Sequence, residues 1–303
     1  PASLPWEERS VLENYGVGIG ARIDEIPYDD TTGNLDVARF DTELARQDVF
    51  GVLVDLPNGF GHIDENLLDL KKRLHSVPLV VSADPLALSV LEPPGAWGAD
   101  VVIGEGQSFG TPNSFGGPLL GLFACRKEHV RSAPGRIVGA TRDSEGRRAF
   151  TLTLQTREQH IRRSGATSNI CTNESLLALG FVAYASLVGA RGLARLAERL
   201  NERARALVQA LSGIDGLRAP RFSAPFLTDF TIELQRGEPS EFLGRLQRRK
   251  VLGGYALSDP RPGRGERLAR AIRVGVHEGI SDRAIELYAS AARSAVAKEE
   301  TNA

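Results

Sequence analysis

The sequence contains no methionine and only two cysteines among its 303 residues. Cys125 and Cys171 lie far apart without a second pair, which excludes a disulfide framework and a zinc site. So little cysteine is typical of a protein from a reducing, cytoplasmic setting. Because no methionine is present and the chain starts at Pro1, we expect a fragment whose true N-terminus lies upstream.

The sequence also lacks an excess of charge of one sign and a long hydrophobic run. Lysine and arginine total 37 against 38 aspartate and glutamate residues, a net charge of −1, which excludes a strongly basic protein that binds nucleic acid or an anionic membrane. The longest apolar stretch, residues 176–188, is too short to span a bilayer and contains Gly180. No signal segment opens the chain. We therefore expect no nucleic acid, membrane or metal partner.

The first half of the chain alternates short apolar runs with segments of helical periodicity. An apolar run without polar alternation is typical of a strand covered on both faces, as in a parallel sheet flanked by helices. Asp64 is predicted to be a helix N-cap, after which Leu67, Leu70 and Leu74 share one stripe. The expected strands are residues 21–26, 51–56, 79–83, 100–103 and 119–124, and a helix is expected at 35–46.

The second half has longer helices and indicates a smaller second domain. Residues 174–187 are helical in pattern and apolar nearly all round, which predicts that this segment is buried. We expect an α/β fold with a large domain over residues 1–212 and a small C-terminal α/β domain over residues 213–303. After Gly189 we expect a helix with its leucines inward, then strands at 226–234 and 271–276 and helices at 240–249 and 281–297.

A glycine-rich segment, residues 104–110, follows the expected strand at 100–103. A glycine-rich turn at this edge of a sheet can present backbone N–H groups to a phosphate. It is not the dinucleotide-binding fingerprint, because Pro112 comes too soon for a helix to begin there. The alternative, a tight loop that crosses the edge of the sheet, stays open.

Asp84 and residues 160–169 are the other candidates for chemistry. Asp84 ends a strand, so its carboxylate either caps the following turn or stabilises a ligand cation such as a protonated pyridine nitrogen. Residues 160–169 place two arginines beside a Gly-Ala-Thr-Ser-Asn turn, which either binds a phosphate or precedes a helix N-terminus. His160 and His277 have no evident partner and are interpreted as core or surface histidines.

Several motifs between residues 81 and 171 are more specific than any single candidate. They are VSADPLAL at 81–88, PPGAWGAD at 93–100, GEGQSFGTP at 104–112, SFGGP at 114–118, PGRIVG at 134–139, QTREQHIRR at 155–163 and ATSNIC at 166–171. Together they resemble the glycine cleavage system P-protein family, the decarboxylating glycine dehydrogenases, in the form of the first subunit. The resemblance implies a PLP-dependent transferase fold of type I, with a large parallel-sheet domain that is N-terminally truncated here and a small C-terminal domain.

Pyridoxal phosphate (PLP) enzymes hold the cofactor through a lysine amine at the end of a strand. None of the lysines in this chain lies in the glycine-rich segment. The chain has five lysines: Lys71, Lys72, Lys127, Lys250 and Lys298.

In the catalytic subunit of the family that this chain resembles, a lysine precedes one proline by five residues and a second by eleven. Gln107, Pro112 and Pro118 reproduce that spacing, so the resemblance implies that Gln107 stands in the place of the lysine. A glutamine amide cannot form a Schiff base, because its nitrogen lone pair is delocalised into the carbonyl. Asp84 is then the counterpart of the acid that pairs with the pyridine nitrogen, in a vestigial site.

The resemblance therefore implies an enzyme made of two kinds of chain, of which this one lacks the lysine and any catalytic residue. The expected partner is the PLP-bearing subunit 2, in a heterotetramer that decarboxylates glycine and passes the aminomethyl group to the lipoyl arm of the H-protein. Thr167 and Asn169 are expected to contact the phosphate of the partner's PLP, and this chain alone to be inactive. Two alternatives remain open: an independent PLP enzyme, such as an aminotransferase or sulfur lyase, and a purely structural scaffold.

Overall fold

The computed structural model describes residues 1–46, 48–133, 135–155, 158–166, 174–258 and 266–297. The chain forms two compact units. The first unit comprises residues 1–99 and 188–303, and the second comprises residues 100–187. The domain boundary expected between residues 212 and 213 stays a prediction.

Helices and strands alternate along the described chain, as expected for an α/β protein. A 3₁₀ helix, Glu65–Asp69, precedes α3. The elements are α1 (Trp6–Ile19), α2 (Val37–Leu44), β1 (Val52–Leu56), α3 (Leu70–Leu74), β2 (Leu79–Ala83), β3 (Val101–Glu105), β4 (Gly121–Cys125), β5 (Ile137–Arg142), β6 (Arg148–Thr153), α4 (Gln159–Arg162), α5 (Ser175–Ser212), β7 (Leu217–Arg218), β8 (Asp229–Leu234), α6 (Pro239–Arg248), β9 (Tyr255–Ala256), β10 (Ala271–Gly275) and α7 (Asp282–Ala297).

In the first unit, β1 and β2 pair in parallel, with Val54 opposite Val81. Both valines are buried, as expected for strands covered on both faces. The strands predicted at 51–56 and 79–83 and the helix predicted at 35–46 are thus confirmed.

The strand predicted at residues 21–26 is not formed, so that prediction is wrong. Apolar and charged side chains alternate there, but the described residues provide no neighbouring strand to pair with it. The side chain of Arg22 instead bonds Asp24, with 2.9 Å between Nε and Oδ1. Helix α1, which precedes this segment, was not among the predicted elements and ends at Gly20 in the left-handed conformation (φ 68°).

Asp64 connects two segments of the first unit through backbone hydrogen bonds. Its Oδ1 accepts from the N–H of Asn66 at 2.9 Å, and its Oδ2 accepts from the N–H of Leu35 at 2.6 Å. The predicted N-cap is therefore confirmed, and the same carboxylate binds the chain just before α2. The leucines of the predicted stripe are all buried: Leu67, Leu70 and Leu74.

The C-terminal part of the first unit is a four-stranded antiparallel sheet in the order β7-β8-β10-β9. It accompanies α6 and α7, which confirms the predicted order of strand, helix, strand and helix. Phe222, just before β8, stacks on Phe60, which follows β1, with 4.7 Å between ring centroids. The hydroxyl of Thr231 in β8 donates to the carbonyl of Phe60 at 2.8 Å. The two parts of the first unit therefore share one aromatic core.

The second unit contains two antiparallel pairs. β3 pairs with β4, with Val102 opposite Ala124, and β5 pairs with β6. The strands predicted at 100–103 and 119–124 are confirmed. Their antiparallel direction differs from the expected parallel pattern, because an apolar run contains no information on strand direction.

Helix α5 is interrupted at Gly189, whose backbone (φ 68°, ψ 167°) is not helical. The segment before Gly189 was predicted to be buried, and that prediction is wrong, since Leu176 and Leu187 are exposed. By length and composition α5 is able to cross a membrane. However, the residues from Ser175 to Val188 extend only about 21 Å, which is shorter than the ~30 Å hydrocarbon core.

After the break, α5 behaves as the sequence predicts. Its charged residues, such as Arg195 and Glu198, face solvent. Three of the leucines expected on the inner face are buried: Leu200, Leu207 and Leu211.

Replacing Asp64 with alanine is expected to destabilise the protein by roughly 2–3 kcal/mol, because two backbone N–H groups lose a charged acceptor. The free energy of unfolding from urea titration measures this change. Glu65→Ala is the control, since Glu65 is an exposed neighbour. Equal stability of the two variants would contradict the role assigned to Asp64.

Candidate functional site

The glycine-rich segment after β3 folds into a tight loop whose backbone donors are largely engaged. Oε1 of Glu105 accepts from the N–H groups of Gln107 (2.8 Å) and Leu120 (2.7 Å). The N–H of Gly106 donates to Leu120 O (2.7 Å), and the N–H of Phe109 donates to Gly106 O (3.0 Å). The Glu105 carboxylate occupies backbone N–H donors that a bound phosphate would need. Its negative charge also repels an anion. The geometry therefore favours the tight-loop interpretation over a phosphate site.

The glycines of this loop allow it to pack closely on the first part of α5. A Cβ at Gly106 would lie 3.1 Å from the ring of Phe181, and a Cβ at Gly110 (φ 86°) would lie 2.9 Å from Cβ of Tyr184. Between these glycines, Phe109 stacks on Phe181 with 5.0 Å between ring centroids. Close packing therefore accounts for both glycines.

Gln107 lies half-buried in the loop with its side-chain amide engaged. Its Nε2 donates to the carbonyl of Thr111 at 3.0 Å and to Oδ1 of Asn113 at 3.2 Å. Both acceptors belong to the same loop, so the amide stabilises the turn that contains it. An amide nitrogen at this position is not a nucleophile.

The described lysines do not provide an amine suited to hold PLP. In α3, Lys71 donates to the carbonyl of Val77 at 3.0 Å, and Lys72 forms an ion pair with Asp69. Lys298 lies outside the described residues. The residues present, with glutamine in the glycine-rich loop, do not fit a covalently held PLP. The other two described lysines are exposed: Lys127 and Lys250.

Asp84 follows β2 in the first unit and caps the turn after it. Its Oδ1 accepts from the N–H of Leu86 at 2.8 Å, and its own N–H donates to Leu56 O at 2.9 Å. Burial raises the pKa of Asp84, although the bond from Leu86 opposes that shift. The capping interpretation is confirmed, and pairing with a pyridine nitrogen stays a prediction. Gln107 belongs to the second unit.

The remaining predicted candidates are surface residues or lie outside the described chain. Thr167 and Asn169 are both outside the described residues, as is Cys171. His160 in α4 is exposed. His277 is exposed as well, and its Nδ1 accepts from the N–H of Gly279 at 3.2 Å. The sequence left a core and a surface placement open for both histidines, and the structure places both on the surface.

Asp55 in β1 is a buried acid that the sequence analysis did not single out. Its side chain is buried, and neither carboxylate oxygen has a hydrogen-bond partner among the described residues. Burial, and then repulsion from Glu8, raise the pKa of Asp55 to about 7. In the sequence, Asp55 is recognisable as a candidate because it is an acid inside an otherwise apolar strand.

Two cations act on Asp55: the Pro1 amino group, which lowers its pKa more, and Arg273 in β10. Arg273 bonds Oδ2 of Asp229 through its Nη2 and Nε at 2.5 Å and 3.1 Å. Its Nη1 donates to Gly59 O at 3.2 Å and to the hydroxyl of Tyr255 at 3.3 Å. Arg273 lowers the pKa of Asp55 and so offsets part of the effect of burial. An anionic ligand at Arg273 would have to compete with Asp229.

The second unit brings together three potential metal ligands. Side-chain atoms of Asp100, Glu128 and His129 lie within 4.8 Å of one another. Asp100 also forms an ion pair with Arg126, with 3.5 Å between Oδ1 and Nε. Because a cation already neutralises the buried acid of this group, we assign no metal to it.

The sequence matches one family model and many curated proteins. The model described as glycine cleavage system P-protein matches residues 5–234. A probable glycine dehydrogenase (decarboxylating) subunit 1 of Thermomicrobium roseum is 44% identical over 84% of this chain and 56% of its own length. The protein of the same name from Desulforamulus reducens is 42% identical over 95% of this chain and 63% of its own length. The chain thus spans about three fifths of these relatives.

Solved structures show the same fold. An inhibitor-bound glycine decarboxylase (P-protein) of the glycine cleavage system superposes with a TM-score of 0.85 at 34% identity, over 97% of this chain and 64% of that chain. A NifS-like protein from Rickettsia africae superposes with a TM-score of 0.65 at 15% identity, over 93% of this chain and 72% of that chain. These likenesses confirm the predicted PLP-dependent transferase fold of type I.

The stability of the protein is expected to fall as the pH rises from about 4 to 7, because of Asp55. The folded carboxyl keeps its proton up to about pH 7, whereas the unfolded one loses it near pH 4. Asp55→Asn should reduce this slope and add on the order of 4 kcal/mol of stability above pH 7.

Urea unfolding at a series of pH values measures both effects. Asp48→Asn, at an exposed aspartate, is the control and should keep the slope of the original protein. An unchanged slope in Asp55→Asn would show that Asp55 is ionised in the folded state throughout.

Proposed function

Because this chain belongs to the glycine cleavage system P-protein family, we propose that it is the subunit of glycine dehydrogenase (decarboxylating) that does not carry PLP. The enzyme decarboxylates glycine and transfers the aminomethyl group to the lipoyl arm of the H-protein. PLP supplies the electron sink of this reaction when it is bound covalently by the partner, subunit 2. The complex is a cytoplasmic heterotetramer.

The observation that supports the assignment of PLP to the partner subunit is the presence of Gln107, with its amide engaged, in the place of the family's lysine. The family's lysine spacing falls on Gln107, Pro112 and Pro118, and an amide stands where an amine is needed. The Gln107 amide bonds Thr111 and Asn113 within its own loop. The Glu105 carboxylate engages backbone donors of the loop as well. Each contact favours a closed loop over a cofactor cradle.

The chain's contribution is then to complete the active site of the partner. Fold type I enzymes bind PLP at the interface of two chains, and the neighbouring chain provides a hydroxyl to the phosphate. We assign that role to Thr167, with Asn169 shaping the turn. Asp84 and Gln107 remain as a vestigial site, in which Asp84 caps a turn.

When the isolated chain is mixed with PLP and reduced with borohydride, we expect no adduct that is concentrated on one specific lysine, because no described lysine is suited to the cofactor. Mass spectrometry of the digested protein measures the adduct. Gln107→Lys, assayed for glycine decarboxylation, should also be inactive without subunit 2, since one amine does not restore the pocket. An adduct on one specific lysine of the original chain would favour an independent PLP enzyme.

In the complex with subunit 2, Thr167→Ala is expected to weaken PLP retention by roughly 1.5–3 kcal/mol, through loss of one hydrogen bond to a charged group. PLP release during dialysis, followed by absorbance, measures this. Thr167→Ser keeps the hydroxyl and should retain PLP like the original chain. Equal retention by Thr167→Ala would instead favour the scaffold alternative.

A further inference from the structure

The hairpin of β5 and β6 turns its apolar side chains toward solvent. The register places Val138 opposite Leu152 and Ala140 opposite Phe150, and residues two apart along a strand share a face. The exposed fractions are 59% for Val138, 62% for Phe150 and 44% for Leu152. We call these four residues the apolar hairpin face.

The opposite face of the hairpin is the better protected one. Ile137, Gly139 and Thr153 on that face are each half-buried. A Cβ at Gly139 would lie 2.6 Å from Cγ2 of Thr153 in the other strand, so on this face the two strands of the hairpin approach each other closely. The hairpin therefore leaves its more apolar face more exposed than the opposite, more polar one.

Two arginines extend the apolar hairpin face toward the turn of the hairpin. Arg142 and Arg148 lie directly opposite each other and on the same face as Val138 and Phe150. The guanidinium of Arg148 lies 4.9 Å from the centroid of the Phe150 ring. Within the described part of the chain, no ion pair joins either arginine to a carboxylate. Like charges directly opposite each other destabilise an isolated hairpin.

A hairpin of this kind is unfavourable on its own. An isolated two-stranded sheet is marginally stable in water, and β5 and β6 form a sheet of two strands. Exposed apolar side chains next to unpaired like charges add to the cost. A partner surface with an apolar area and carboxylates at one end would remove both costs at once.

We propose that the apolar hairpin face is a docking surface for the second subunit of the enzyme, on an apolar area with acidic residues beside it. The inference rests on the proposed function. It is supported by the relatives' names, since a protein called subunit 1 has a partner chain. It is supported also by the two arginines: Arg142 bonds only the carbonyl of Gly146 and Arg148 only the face of Phe150, so among the described residues no carboxylate balances their charge.

The test compares Phe150→Lys with Thr151→Lys in the full chain. Both residues are exposed, but they lie on opposite faces of the same strand. Because neither is buried, both variants should fold like the original protein, which circular dichroism and thermal unfolding check. Calorimetry with purified lysine-bearing subunit 2 measures the affinity. Phe150→Lys should bind roughly tenfold or more weakly, and Thr151→Lys like the original chain.

A charge variant tests the acidic part of the partner surface. Arg148→Glu should also weaken binding, and the loss should be larger at low salt because opposite charges are then less screened. Amide hydrogen exchange should show protection of residues 137–142 and 148–153 when subunit 2 is added. Binding of Phe150→Lys equal to that of Thr151→Lys would overturn the docking surface while leaving the proposed function intact.

Further measurements distinguish subunit 2 from the other molecules that could cover the apolar hairpin face. If the original chain does not bind subunit 2 at all, the proposed function fails and this inference fails with it. Sedimentation of the chain alone, or on vesicles of phosphatidylserine, reports on a second copy or a lipid surface. Self-association or vesicle binding abolished only by Phe150→Lys would assign the face to that occupant and overturn the inference.

Discussion

The carboxylate of Glu105 is the contact on which the geometry of the glycine-rich loop depends. By accepting from the N–H groups of Gln107 and Leu120, it closes the chain between β3 and β4 with charge-assisted hydrogen bonds, which are about twice as strong as neutral ones. Once the loop is closed, Phe109 stacks on Phe181. Residues 104–110 have the composition of an anion site, but they form a packed structural loop that begins at the acidic side chain of Glu105.

The charged groups of the first unit lead to a similar conclusion. Arg273 is bonded to Asp229, while Asp55 is buried without a hydrogen-bond partner. Burying an acid in this way is unfavourable unless it keeps its proton, which agrees with its raised pKa. The charge of Arg273 is thus balanced by Asp229 within the protein, whereas Asp55 is a buried acid without a hydrogen-bond partner among the described residues.

The second unit places apolar residues on its surface in two segments. The first part of α5 and the hairpin of β5 and β6 both expose apolar side chains. Such surfaces are uncommon on monomers and usually mark contacts with another polypeptide. In the hairpin, two arginines lie opposite each other beside these apolar side chains.

The sequence alone determined the α/β class, most element positions, the cap at Asp64 and the buried stripe of Leu67, Leu70 and Leu74. These depend on side-chain periodicity and on bonds between chain neighbours, which a local pattern contains. The motifs that resemble the family further identified Gln107 as the residue that departs from the family's lysine. Only the tertiary structure decided that β3 and β4 run antiparallel, that β5 and β6 form a hairpin, and that the first part of α5 is exposed. It also decided the burial of Asp55 and the contacts of Arg273, because each of these outcomes depends on which distant segments meet in space.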